Sequence, residues 1–280
     1  MYVITFGAAT TLALLLLFRV GQRVLAPTQT IGAHLEAGNT AHALLYVGQV
    51  LGVFLIGTAV ALGCTEEHGL GRDVAWVSIF GASALALFAL TGNLGVRMLL
   101  RSRLPKEIER GNVAAGIAGA AHYVATAIIL ARSVGGSDVA ALVVSLVFFV
   151  IAQATLHLFV ILFRALTSYD DAEEILGGNV AAALSYAGAT IAISIIIGRA
   201  VEGTFVSWVV SLRAYAVALA LNLSLYPVRQ VVVQSLLLGC PPTLRGGRLD
   251  ARIAEDRSIG MGALEAIAYI ATALLVSRLA

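Results

Sequence analysis

Charge is what this sequence of 280 residues has least of: only 12% of its residues are Asp, Glu, Lys or Arg. Soluble domains carry about 25%. With 59% hydrophobic residues and a mean hydropathy of +0.93, the sparse charge predicts an all-α, polytopic membrane protein whose main partner is the lipid bilayer. Cysteine is nearly absent as well. Cys64 and Cys240 fall on opposite sides of the membrane in the topology below, and neither has a metal-ligating neighbour at a recognisable spacing. Phosphate-loop, His-Glu-x-x-His and Gly-x-Ser-x-Gly motifs are missing. Lys106 is the single lysine, and no basic patch interleaved with aromatics is present to bind nucleic acid. The longest interval between apolar runs, Val228 to Arg257, is too short for a folded soluble domain. These absences point away from an enzyme, a cofactor or metal site, and a nucleic-acid partner.

What is present is a set of long apolar runs, near 2–18, 40–63, 74–96, 112–131, 139–163, 179–198, 204–226 and 258–277. Each approaches the roughly 20 residues of a membrane span, so eight transmembrane helices are predicted. Arg19 and Arg23 follow the first run and no basic residue precedes it, the reverse of a signal peptide. The loops after the odd-numbered runs hold most of the Lys and Arg, the others only Arg72, Arg132, Arg199 and Arg278. By the positive-inside rule both termini are expected on the outer side.

The sequence also repeats itself. Arg110-Gly111-Asn112-Val113-Ala114-Ala115 is echoed by Glu36-Ala37-Gly38-Asn39-Thr40-Ala41 and by Gly177-Gly178-Asn179-Val180-Ala181-Ala182, and more faintly around Ser258. Aligning Asn39 with Asn179 aligns Tyr46 with Tyr186 and Gly48 with Gly188. Aligning Asn112 with Ser258 aligns Tyr123 with Tyr269. Phe18-Arg19 matches Phe163-Arg164. The reading is a tandem duplication, residues 1–134 and 135–280, of a four-helix half made of two hairpins. An even number of spans per copy makes four parallel two-helix repeats, expected to gather around a shared axis. The even runs are rich in Gly and Ala, which permit close helix approach in lipid, so they are predicted to pack centrally and the bulkier odd runs to face lipid. Those lipid-facing Leu and Val stripes would equally suit contact between subunits of a homo-oligomer.

Glu36, Glu109 and Glu255 precede the Asn or Ser position by three residues, and Asp170, Asp171, Glu173 and Glu174 lead toward Asn179. These segments read as short interfacial helices with solvated or dipole-matched acidic faces. Asn39, Asn112 and Asn179 suit the N-cap of each even helix; gathered with Ser258 around an axis, they would also form a polar ring at a mouth. Both readings stand on spacing. Arg213 and Glu265 are ionisable residues inside apolar runs, where charge is costly and marks candidate sites; an Arg213–Glu265 ion pair is expected. In repeat register Tyr46, Gly119 and Tyr186 share the position of Glu265, while Gln49 and His122 lie one turn further in, so convergence of the even helices would place these polar groups around one carboxylate.

The repeated Asn-x-Ala openings, Asn39-Thr40-Ala41-His42, Asn112-Val113-Ala114-Ala115 and Asn179-Val180-Ala181-Ala182, resemble those of the YjfL-like family of bacterial inner-membrane proteins, a domain of unknown function (number 350). The resemblance covers the chain as two fused units. It implies a bacterial inner membrane and, as a setting, envelope maintenance under membrane stress, with no activity attached; Arg213 and Glu265 match nothing in its pattern. Two functions stay open: a non-enzymatic scaffold or sensor working with a cytoplasmic peripheral stress protein, and a small ion, proton or solute channel or transporter along the axis of the even helices.

Overall fold

Apolar runs of this length fold as helices because a backbone in lipid must satisfy its own N–H and C=O groups. The structure is a computed structural model that describes residues 2–25, 36–65, 69–203, 205–222, 227, 229–243 and 245–279. Its long helices are α1 (Tyr2–Leu25), α2 (Thr40–Gly63), α3 (Leu70–Thr91), α6 (Val113–Ser133), α7 (Val139–Arg164), α9 (Val180–Val201) and α12 (Ile259–Leu279). Among the described residues seven helices are long and apolar enough to cross a membrane, with one shorter apolar helix beside them. The protein is a multi-pass, all-α membrane bundle. Short helices α4 (Leu94–Leu99), α5 (Leu104–Glu109), α8 (Asp171–Leu176) and α11 (Arg248–Ala254) lie between the spans.

Within the predicted seventh span the structure describes α10 (Trp208–Asn222), and beyond that run a π-helix (Arg229–Leu237).

The even-run helices do not surround an axis. α2, α6, α9 and α12 run parallel in a row: α2 packs on α6, α6 on α9 and α9 on α12. The inner pair has 72% and 78% of its spanning windows buried, against 33% for α2 and 22% for the outward-facing α12. The odd-run helices cover the row, α1 on α2, and α7 and α10 on α9.

Backbone-to-backbone contact explains the row. A Cβ on Gly48 would stand 2.6 Å from Ala120 Cα, and one on Gly116 2.6 Å from the Ala41 carbonyl oxygen. In the second half Gly188 meets Ala266 Cα at 2.3 Å and Gly262 meets the Ala181 oxygen at 2.2 Å, at the same repeat positions. Each half therefore contains the same glycine-locked helix pair. Helices gain little from hydrophobicity against each other in lipid, so contact this close is what binds them. The two pairs are then joined through α6 and α9.

Candidate functional site: a buried charge cluster in the second half

The ends of the row show how the copies are strung together. α5 ends in Gly111 at φ +82° and α8 in Gly178 at φ +76°, left-handed turns that glycine makes without strain. Asn112 and Asn179 follow and cap α6 and α9, their Oδ1 atoms accepting from Ala115 N and Ala182 N; Asn39 caps α2 through His42 N. The amide hydrogens do something the sequence does not announce. Asn39 Nδ2 donates to the Ile108 carbonyl at 2.9 Å, Asn112 to that of Ile175 at 2.8 Å, and Asn179 to that of Ile253 at 2.8 Å. Every Asn thus latches the lead helix of the next copy. The expected ring of caps is replaced by this series, because the helices stand in a row. The fourth copy carries Ser258 at this position. The carboxylates that matter are five residues before the Asn: Glu107 and Glu174 accept from Asn112 and Asn179 at 2.7 and 2.8 Å, while Glu36, Glu109 and Glu255 are exposed.

Asn179 is 1% exposed, so truncating it removes a cap, worth about 1 kcal/mol, and leaves a buried carbonyl and a carboxylate short of a donor, about 1–3 kcal/mol. Thermal unfolding of Asn179→Ala in detergent should show a loss of about 2–4 kcal/mol, and Ser258→Ala a markedly smaller one. Equal losses would mean that the latch contributes nothing.

Glu265 is completely buried on α12. Its Oε2 accepts from Ser185 Oγ at 2.6 Å and its Oε1 from Tyr269 Oη at 3.2 Å. Arg164, the last residue of α7, is also buried. Its Nη1 donates to the same Ser185 Oγ at 3.0 Å and its Nη2 to Tyr169 Oη at 2.9 Å, while Nε and Nη2 grip both oxygens of Asp171 at the start of α8. One guanidinium thereby serves two carboxylates, Asp171 directly and Glu265 through a hydroxyl. Burial pushes the Tyr169 phenol above its ordinary pKa, with Arg164 opposing. The loop bearing Tyr169 is pinned from α11, whose buried Asp250 accepts from Ser168 N at 2.7 Å.

Directly after Ser185, Tyr186 Oη lies 2.6 Å from His122 Nε2 on α6. His122 is fully buried and its ring centroid is 5.9 Å from that of His157 on α7. Gln153 donates to Thr126 at 3.2 Å and stands 3.4 Å from His157. Gly95 on α4 makes room for these rings, since a Cβ there would meet His122 Cε1 at 2.2 Å. Ser185 and Tyr186, adjacent on α9, bring the ionic cluster and the histidine pair side by side inside the bundle.

The family model described as Domain of Unknown Function (DUF350) matches residues 1–134 and again 137–279. The chain belongs to the DUF350 family. It is built of two such units in tandem, which leaves Gly135 and Gly136 between the matches. No curated protein and no solved structure matches it.

The two DUF350 units solve the same position differently. Leu45 and Gly119 of the first unit stand where the second has Ser185 and Glu265. A Cβ on Gly119 would lie 2.7 Å from Leu45 Cδ1, so an aliphatic side chain fills the space that the second unit gives to a hydroxyl and a carboxylate. Arg19, the counterpart of Arg164, is exposed.

Of the candidate site residues singled out in sequence, Tyr186 and His122 are brought into direct contact. Tyr46 is half-buried in the first unit, and Gln49 pairs with Gln22 at 3.0 Å; α6 and α9 lie between α2 and the helix of Glu265. Arg213 is exposed on α10 and makes no ion pair among the described residues. Tyr215, which turns inward and donates to Thr155 at 2.8 Å, is two positions on; two residues rotate a helix by about 200°, so Arg213 points away from the bundle. Arg164, Asp171, Ser185, Tyr169 and Tyr269 were missed. The Phe18-Arg19/Phe163-Arg164 match was the available signal, but an Arg at the end of a span reads as topology, and Asp171 as part of a solvated acidic run.

Proposed function

We propose that the protein handles protons or small monovalent cations within the membrane, with the Glu265 cluster of the second DUF350 unit as the binding site. The carrying observation is the contrast between the units: the first builds the same helix pair with Leu45 and Gly119, so the fold does not require buried charge at that position. Charged groups inside a membrane are costly and mark ion or proton pathways. The adjoining hydroxyls of Ser185, Tyr269 and Tyr186 and the His122–His157 pair supply groups that exchange protons, continuing from the cluster toward mid-membrane. No catalytic chemistry is assigned.

In this reading the membrane is a bacterial inner membrane, with both termini periplasmic. The N-terminal ends of α2, α6, α9 and α12 then face the cytoplasm, together with Arg101, Arg103, Lys106, Arg110, Arg248 and Arg252, as the positive-inside rule asks.

A second reading is a scaffold or sensor of membrane stress that engages a cytoplasmic peripheral protein. It is favoured by the row of helices, which provides no central passage between the four copies. Proteoliposome flux separates the two. Proton or cation flux in wild type that is abolished in Glu265→Gln supports the first reading. Flux that is absent, or equal in both proteins, rejects it.

A further inference from the structure

At the opposite end of the bundle from the Asn caps, a groove of about 1190 Å³ opens between the two DUF350 units. It exceeds the roughly 300–1,000 Å³ of ordinary small-molecule pockets. Leu55 and Leu62 of α2, Val144 and Phe148 of α7, and Val210 of α10 form apolar walls. One side is stiffened by aromatic stacking, Phe148 lying parallel to Trp208 at 5.9 Å and Phe205 edge-on to Trp208 at 5.0 Å. Trp at this level is typical of the membrane–water boundary. The polar end holds Arg132, Glu202 and Asp138. Arg132 Nη1 is 2.5 Å from Glu202 Oε1, and Arg199 approaches Glu202 Oε2 at 3.4 Å. Asp138 uses one oxygen to cap α7 through Ala141 N.

We infer that this groove is a binding site for one zwitterionic phospholipid. Apolar walls within the depth of the spans exclude water and fit acyl chains. The charges at the mouth select the headgroup: Arg132 stands beside the carboxylates Glu202 and Asp138, with Arg199, outside the lining, held on Glu202, so a phosphate facing Arg132 and an ammonium facing Glu202 or Asp138 are both matched. An anionic headgroup would leave the carboxylates opposed. The exposed ion pair at the mouth opens at little cost, since such pairs contribute only about 0–1 kcal/mol. The site also has a structural use, filling the gap between the units.

Native mass spectrometry of the full chain, purified from vesicles of mixed phosphatidylethanolamine and phosphatidylglycerol, tests this. Wild type should retain a single phosphatidylethanolamine. Ala59→Phe, which fills the groove, should reduce retention about tenfold, equivalent to 1.4 kcal/mol, and Ala13→Phe on the exposed face of α1 should not. A bare protein, a preference for phosphatidylglycerol, a lipid-free dimer, or retention unchanged by Ala59→Phe overturns the assignment. If Ala59→Phe fails to fold, the Trp76→Phe protein decides. There Trp208 should be quenched by brominated-chain phosphatidylethanolamine at a lower mole fraction than by its phosphatidylglycerol equivalent, and equal quenching overturns the site.

Discussion

Asp171→Ala should lose about 3–5 kcal/mol of stability, the usual result of stripping the partner from a buried charge. Arg164 has its guanidinium inside the protein, held on two sides by the Asp171 carboxylate and otherwise by a serine and a tyrosine hydroxyl. Without Asp171 it must stay charged, because arginine does not give up its proton in a protein. Either water enters or the end of α7 moves away from α8. Against a total stability of about 5–15 kcal/mol, that loss is enough to unfold the second unit under mild heating. Replacing both residues by leucine should recover most of the loss, because a buried pair exchanged for apolar packing is often neutral. Thermal unfolding in detergent of the two proteins beside wild type is the measurement. If Asp171→Ala costs less than about 1 kcal/mol, the value of an exposed pair, the cluster is solvated and not buried.

Exchanging the second unit's solution for the first's should show strong coupling. Ser185→Leu alone puts a branched aliphatic chain beside the Glu265 carboxylate and removes its hydroxyl donor; a loss of about 2–4 kcal/mol is expected. Glu265→Gly alone opens a cavity next to Ser185 and adds the helix cost of glycine, about 1 kcal/mol. The double variant recreates the Leu45–Gly119 packing at 185 and 265 and should be more stable than the sum of the single effects by about 2–3 kcal/mol. Arg164 keeps Asp171 and Tyr169 throughout, so the arginine is not stranded. Additive single effects would mean that the two units are not interchangeable at this position. The double variant also separates fold from function: a folded protein without flux would place the activity in the Ser185–Glu265 pair.

How much of this was legible follows from the range of each interaction. The spans are local, since a run of apolar residues must become a helix in lipid whatever surrounds it. The Asn caps are local too: Oδ1 reaches only three residues ahead. Both were readable, as was the duplication, and the family match to residues 1–134 and 137–279 spans both halves. The second function of the same asparagines was not readable. Nδ2 of Asn112 bonds a carbonyl 63 residues away, and nothing in a backbone carbonyl distinguishes Ile175 from its neighbours. Glu265 stood out because a carboxylate in an apolar run is conspicuous by itself, but its setting depended on which helices touch.

The sequence by itself determined that this is a multi-pass helical membrane protein, where its helices begin, and that two units of one family follow each other. The tertiary structure alone decided that the four repeat helices form a row and not a ring. Gly and Ala on several faces of α6 permit either, and only the facing of Gly48 on Ala120 and Gly188 on Ala266 selects among them. It likewise decided which arginine answers Glu265. Sequence position measures depth in the membrane but leaves rotation about the helix axis open. That rotation turns Arg213 outward and Arg164 inward, onto Asp171 and, through Ser185, toward Glu265.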